Sequence, residues 1–229
     1  MVGEETSTPP QGPEDHEPLT EGQIRAATVG ELQVHGGPIE LADYDPAWPA
    51  LFARGAARIR AALGERALRI EHTGSTSVPG LAAKPIIDML LVMADSADEG
   101  TYVPDLEAAG YVLRIREPDW YEHRLFKGPD TNVNLHVLSE GCPEIDRILL
   151  FRDRLRANDP DRELYERTKR ELAGRQWKYV QNYADAKSAV VEEIIGRARA
   201  EAPGSGAGRD QRGGWAWTRG SSRRVGALA

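Results

Sequence analysis

A short strand that runs into a Gly-Ser turn, then into a second strand carrying one isolated acid, limits this chain more than any other feature. The stretch is Glu71-His72-Thr73-Gly74-Ser75-Thr76-Ser77-Val78-Pro79-Gly80, followed by Lys84-Pro85-Ile86-Ile87-Asp88-Met89-Leu90-Leu91-Val92. Glycine lets backbone approach a ligand closely, and successive N–H groups of such a turn can cradle phosphate oxygens. An Asp among Ile, Met, Leu and Val is costly to bury unless a cation or a donor meets it. Turn and acid together point to an anion-plus-metal site of the kind that holds nucleotides. A tight turn beside a capped edge strand is the plainer reading of the same residues.

The 229 residues, 40% of them hydrophobic, suffice for one well-packed domain with length to spare. A formal net charge of -7 argues against a general nucleic-acid coat protein while leaving room for a local basic pocket. Cys142 is the single cysteine and cannot form an intramolecular disulfide, which fits a reducing cytosol. No apolar run approaches the roughly 20 residues needed to span a bilayer. Nor does the N-terminus carry the basic-then-apolar pattern of a signal peptide. A cytoplasmic protein without a membrane partner is expected.

The ends differ from the middle. Residues 1–19 carry five acids (Glu4, Glu5, Glu14, Asp15 and Glu17), no Lys or Arg, and four prolines. Such a segment buries too little apolar surface to offset its ordering entropy. From Pro203 the chain is rich in Gly, Ser and Arg, with Trp215 and Trp217 among the arginines. Those tryptophans suit stacking on RNA or on a partner; an untethered low-complexity end is the simpler account. Disordered tails over 1–19 and 203–229 therefore flank one expected domain, 20–202.

Within that domain the pattern alternates. Thr20 to Val29 predicts a short helix with a capping-box spacing from Thr20 to Gln23. Pro38 to Leu41 reads as a brief strand, and Ala47 to Leu63 as a helix with Trp48, Leu51, Phe52, Ile59 and Leu63 on one stripe. The Gly-Ser unit, with a strand from Ala67 to Ile70 before it, precedes a helix over Ser96 to Ala109 that Pro104 breaks or restarts. Tyr111 to Arg116, His123 to Lys127 and Asn132 to Leu138 read as strands. Helical patterns follow over Glu144 to Ala157, Pro160 to Ala173 and Val180 to Ala200. The expected class is α+β (α/β mixed): a mixed sheet flanked by helices, with a helical C-terminal part.

The run His72 to Asp88 resembles the signature of the GrpB family. Asn134-Leu135-His136-Val137, Phe151-Arg152-Asp153-Arg154-Leu155-Arg156 and Tyr183-Ala184-Asp185-Ala186-Lys187 resemble its other blocks. The resemblance covers residues 38–200. That family is similar to the nucleotidyltransferase superfamily, the group containing DNA polymerase beta and aminoglycoside nucleotidyltransferases. It also occurs fused to dephospho-CoA kinase in some bacteria, which implies a connection to CoA-related metabolism.

In that superfamily a Gly-Ser pair precedes a strand bearing Asp-x-Asp or Asp-x-Glu, and a later strand supplies a third carboxylate. Side chains two apart share a strand face, so the paired acids bridge Mg²⁺ ions that neutralise the triphosphate. Here Asp88 takes the first position, Leu90 the second and His136 the third, on a face shared with Asn134 and Leu138. Imidazole suits Zn²⁺ or Mn²⁺ better than Mg²⁺. The implied divalent-metal set is Asp88, His136 and, from the neighbouring strand, Glu71.

Gly74, Ser75 and Thr76 are the phosphate-loop candidates. Lys84 meets a phosphate as a point charge or is an ordinary surface lysine. Arg124 contacts phosphate or pairs with Asp88. Arg152 and Arg156, four apart on one helix face, lean over a triphosphate or pair with Asp153, Asp159 and Glu163. Lys187, beside Tyr183, has the same two readings. His72 binds a phosphate or metal, or is a core histidine held by backbone; His123, His16 and His35 carry no clear signal. Cys142 sits in a Gly-Cys-Pro turn without a base.

Two functional classes follow. One is an enzyme that transfers a nucleotidyl group from an NTP to a small hydroxyl-bearing acceptor with a divalent metal. The other is a non-catalytic nucleotide- or anion-binding module that has lost the second carboxylate. Leu90 favours the module, whereas Gly74-Ser75, Asp88 and His136 favour the enzyme.

Overall fold

The computed structural model describes residues 19–34 and 36–201. The tail expectations apart from Leu19, together with Trp215, Trp217, His16 and His35, lie outside the described residues. Strand β2 (Ile87–Met93) is central because neither face of it suits water. Ile87, Met89, Leu91 and Met93 are buried towards one side and Leu90 and Val92 towards the other, so each side needs a helical cover. β1 (Arg69–Thr73) pairs with β2 antiparallel and β5 (Val133–Ser139) pairs with it parallel. β4 (His123–Lys127) and β3 (Val112–Glu117) complete a mixed sheet of order β1-β2-β5-β4-β3.

Helices α2 (Trp48–Leu63) and α3 (Val103–Ala108) close over the Met89 side. On the opposite side α4 (Pro143–Ala157) lays Ile145, Ile148 and Leu149 against Leu90, Val92 and Leu138. That contact covers the C-terminal ends of β2 and β5 and leaves their N-terminal ends open. Helix α5 (Asp159–Ala173) packs with α4 and α7 (Ser188–Glu201) around Val78 and Leu81, which seats the Gly-Ser turn on the helical layer. The architecture is the expected α+β one, with its helical C-terminal part.

Local differences have plain causes. α1 (Glu21–Ala27) carries the Thr20–Gln23 capping box. Pro38 to Leu41 is not a strand: the Ile39 N–H donates to the Ala173 carbonyl at the end of α5, while isolated bridges join Gly37 to Trp177 and Ala42 to Ala83. Pro104 starts α3 rather than sitting inside a longer helix, as its missing N–H favours. The predicted helix over Val180 to Ala200 breaks into α6 (Val180–Asp185) and α7, and the break carries Lys187 inward against Tyr165 and Tyr183. Leu19, assigned to the N-terminal tail, is tied by both backbone groups to Asp185 and Asn182 of α6.

Candidate functional site

The open ends of β2 and β5 face a cleft of about 650 Å³, bounded by β4, α5, α6 and the segment after α1. The Gly-Ser turn forms one wall. Gly74 has φ +63° and ψ -177°, a conformation that side-chain-bearing residues avoid. A Cβ built there would lie 2.4 Å from Asp88 Oδ2, so the turn backbone rests directly against the carboxylate. Ser77 Oγ donates to the Gly74 carbonyl at 2.6 Å and fixes the turn. Ser75 Oγ accepts from Lys169 Nζ at 3.0 Å. Thr76 lines the cleft, but its hydroxyl serves the loop, donating to the Ile86 carbonyl at 3.1 Å.

Asp88 and His136 converge. The register sets Asp88 beside Asn134 and Leu90 beside His136, so all four side chains share one face. Asp88 Oδ1 lies 3.8 Å from His136 Nε2. Asn134 Nδ2 donates to the same Oδ1 at 2.7 Å, while Lys127 Nζ donates to Asn134 Oδ1 at 2.5 Å. Burial works against the Asp88 charge, yet His136, the Asn134 amide and Lys84 outweigh it and hold the carboxyl below its usual range. His136 Nδ1 lies 3.0 Å from His123 Nε2, and His123 Nδ1 lies 2.7 Å from Glu117 Oε2. His136 Nε2 is buried and has no hydrogen-bond partner among the described residues.

Burial pushes His136 and His72 down to about 4 and His123 to about 3, so all three rings are neutral at pH 7. The unfolded chain takes up protons below about pH 6.5 that the folded one refuses. Stability therefore falls as pH drops from 6.5 towards 4, by up to about 1.4 kcal/mol per pH unit for each ring. Melting temperatures at pH 7, 6 and 5 should decline steadily. A flat profile would mean that these rings are charged or wet in the folded protein.

Four lysines give the cleft its electrostatic character: Lys84, Lys127, Lys169 and Lys187. Burial, then mutual repulsion, pulls Lys187 down to about 7 and Lys169 far below the usual lysine range. Burial also lowers Lys84, against the pull of Asp88. Lys169 donates to Ser75 Oγ and the Ala82 carbonyl, and Lys187 donates to Tyr165 Oη at 3.4 Å. Lys84 Nζ makes no hydrogen bond among the described residues and lies over the Tyr183 ring, 5.6 Å from the centroid. Tyr183 Oη also lacks a partner there. Four crowded lysines beside the Asp88 carboxylate make a receptor for a polyanion.

Five candidate ligands stand elsewhere. Arg124 is not beside Asp88: β4 alternation turns it to the opposite sheet face, where it pairs with Glu99 at 2.6 Å and Glu122 at 3.1 Å. Glu71 does not join Asp88 and His136, because Arg152 at 2.7 Å and Arg69 at 2.8 Å hold it. Arg152 in turn is spent on Glu71, Asp153 and the His72 carbonyl, and Arg156 on the Ser77 carbonyl. Both arginines latch α4 to the back of the Gly-Ser turn and do not lean over the cleft. His72 stacks on Phe52 at 4.8 Å and faces α2, as a core histidine.

His123, Asn134, Lys127 and Lys169 are functional candidates that sequence reading passed over. Strand parity carried a signal for three of them, since His123 and Lys127 alternate with Leu125 and Asn134 alternates with His136. Lys169 had none, because only the docking of α5 brings it to Ser75. Among the described residues no group of three His, Cys, Asp or Glu side chains is placed to hold a metal ion. The protein itself offers two donors, Asp88 and His136.

The family model described as GrpB protein matches residues 38–197. The chain belongs to the GrpB family. A UPF0157 protein of Halalkalibacterium halodurans is 64% identical over 183 residues, covering 80% of this chain and 94% of that one. The crystal structure of conserved protein GrpB from Enterococcus faecalis superposes with a TM-score of 0.62 at 33% identity, over 69% of this chain and 96% of that one. A dephospho-CoA kinase of Mycolicibacterium paratuberculosis is 33% identical over 162 residues, which are 59% of this GrpB chain and 40% of the kinase. No helix among the described residues is long and apolar enough to cross a membrane.

Proposed function

We propose that this GrpB protein binds a nucleoside triphosphate in the lysine-lined cleft, with one divalent ion at Asp88 and His136, and transfers its nucleotidyl group to a small hydroxyl-bearing acceptor. The observation that carries this reading is the convergence of the Asp88 carboxylate and the unpartnered His136 Nε2 beside Gly74-Ser75. Two protein donors suit an ion that takes its remaining ligands from water and substrate phosphates. Such an ion, when bound, neutralises the triphosphate and eases loss of the acceptor proton. The Gly74-Ser75 turn and Lys84, Lys169 and Lys187 hold the phosphate oxygens. The acceptor oxygen then attacks the α-phosphorus and pyrophosphate leaves.

One observation favours a second reading, a binding module without turnover. Leu90, where the superfamily pattern has its second acid, is buried among Val92, Trp120, Leu138 and α4 residues, and a carboxylate there would lie in apolar surroundings. Labelled NTPs with Mg²⁺, Mn²⁺ or Zn²⁺, and an acceptor panel that includes dephospho-CoA, separate the two. Labelled product supports transfer, whereas tight binding without product leaves the module. Absence of NTP binding under every metal overturns transfer and nucleotide binding alike.

Lys84 supplies a sharper check. Lys84→Met removes a desolvated charge that has no hydrogen bond to lose among the described residues. Thermal stability should hold or rise, while NTP affinity falls at least about tenfold, the loss of one charge-assisted phosphate contact of about 1.4 kcal/mol. Lower stability with unchanged affinity would instead make Lys84 a structural partner of Asp88.

A further inference from the structure

Two buried tyrosines stand under the lysines of the cleft, Tyr165 on α5 and Tyr183 on α6, and their hydroxyls fare differently. Lys169 Nζ lies over the Tyr165 ring, 4.9 Å from the centroid, and Tyr165 Oη accepts from Lys187 Nζ at 3.4 Å. Tyr183 is 1% exposed and lines the cleft. Lys84 and Lys187 lie over its ring, 5.6 and 5.2 Å from the centroid. Its Oη is buried and has no hydrogen-bond partner among the described residues.

An unpaired phenol in a dry place has a cost that phenylalanine, filling the same space, would avoid. The side chains around Tyr183 offer its hydrogen nothing. Ammonium groups only donate. Ile39, Leu41, Leu172 and Ala173, which pack with it, are apolar. Trp177, edge-on to its ring at 6.0 Å, gives its one indole N–H to the Leu172 carbonyl. The hydroxyl therefore calls for an acceptor that arrives in the cleft, and the two lysines over the ring favour an anionic one. The site also extends beyond one anion. Lys187 Nζ lies 5.9 Å from the Tyr165 centroid as well as over Tyr183, so it joins the two rings. Lys169, over Tyr165, donates to Ser75 Oγ and the Ala82 carbonyl, both uncharged oxygens. A row of donors runs from the Gly-Ser turn through Lys169 and Lys187 to Tyr183 and Lys84. A chain of phosphates can meet every member of that row, whereas a single phosphate or carboxylate reaches only part of it.

We propose that Tyr183 is a phosphate-binding residue whose hydroxyl donates to a polyphosphate chain held along this row, and that the chain binds there without a metal ion. Each member of the row brings a hydrogen or a positive charge to the phosphate oxygens. The inference rests on the polyanion part of the reading above and is independent of any ion at Asp88.

The test titrates inorganic tripolyphosphate into the full chain in the presence of a chelator, by calorimetry, with a melting curve for each protein. Wild type should bind tripolyphosphate at least about 100-fold more tightly than orthophosphate, roughly tenfold for each further charge-assisted contact. Equal affinities, or no binding of tripolyphosphate, overturn the proposal without any variant. Tyr183→Phe removes only the unpartnered oxygen. Its melting temperature should match or exceed that of wild type, while its tripolyphosphate affinity falls about tenfold. Unchanged affinity overturns the proposal, and so does a lower melting temperature, which would give the hydroxyl a structural partner. ATP titrated under the same chelator separates the two sources of such a chain. Binding tighter than tripolyphosphate supports the subsite as part of a nucleotide site, and weaker binding supports it as a site for an inorganic chain. If NTP binds with a divalent ion while tripolyphosphate fails under chelator, this inference ends and the metal-dependent reading stands. If neither ligand binds under any metal, both end.

Discussion

Gly74→Ala is expected to abolish divalent-ion binding and to lower the melting temperature by about 10 °C. Two costs combine. A φ of +63° strains any residue with a Cβ by about 1–2 kcal/mol. The new methyl would also lie 2.4 Å from Asp88 Oδ2 and 2.9 Å from Asp88 Cβ, so the carboxylate must rotate away or the turn must lift. A total of about 3 kcal/mol corresponds to the stated shift for a domain of this size. Gly80→Ala is the matched control: its φ is +78°, and a Cβ there meets nothing within 4 Å. Gly80→Ala should show the strain alone, about 1–2 kcal/mol, and keep its metal affinity. Equal losses in the two variants, with metal still bound by Gly74→Ala, would show that the contact between turn and Asp88 has no functional weight.

The contrast between those glycines marks where sequence reading ran out. The Gly-Ser turn and the acid-bearing strand were legible because a lone acid in an apolar run must meet a partner, but the central place of that strand, apolar on both faces between helical layers, was not read. Asp88 stood out as a lone acid, whereas His136 came from the family resemblance; β2 and β5 pair, and the two-residue period puts both side chains on one face. The arginines misled for a physical reason. An Arg four residues from another on a helix shows which face it occupies, but not whether Glu71 or the Ser77 carbonyl will claim it first. Arg124 failed through parity, since its neighbour His123 owns the cleft side of β4. Lys169 lies 94 residues from Ser75 along the chain, and no local pattern encodes that contact. Helical continuity over Val180 to Ala200 hid the break that buries Lys187.

Asp88→Asn separates chemistry from architecture most directly. Arg124 lies on the other sheet face, so the variant leaves no buried guanidinium unpaired, and a melting temperature within a few degrees of wild type is expected. The new amide oxygen can still accept from Asn134, which preserves the local geometry. What disappears is the negative charge that faces His136 Nε2 and the surrounding lysines. Affinity for an NTP measured with a divalent ion should therefore fall to the metal-free value, a loss of at least about tenfold. Affinity measured with a chelator should move the opposite way. A carboxylate within the cleft repels triphosphate oxygens, so removing it should tighten metal-free binding. Opposite signs for one substitution, read by calorimetry with metal and with chelator, cannot arise from a structural defect, which would weaken both. If both affinities fall together, Asp88 supports the shape of the cleft only, and the metal-dependent reading of this site is lost with it.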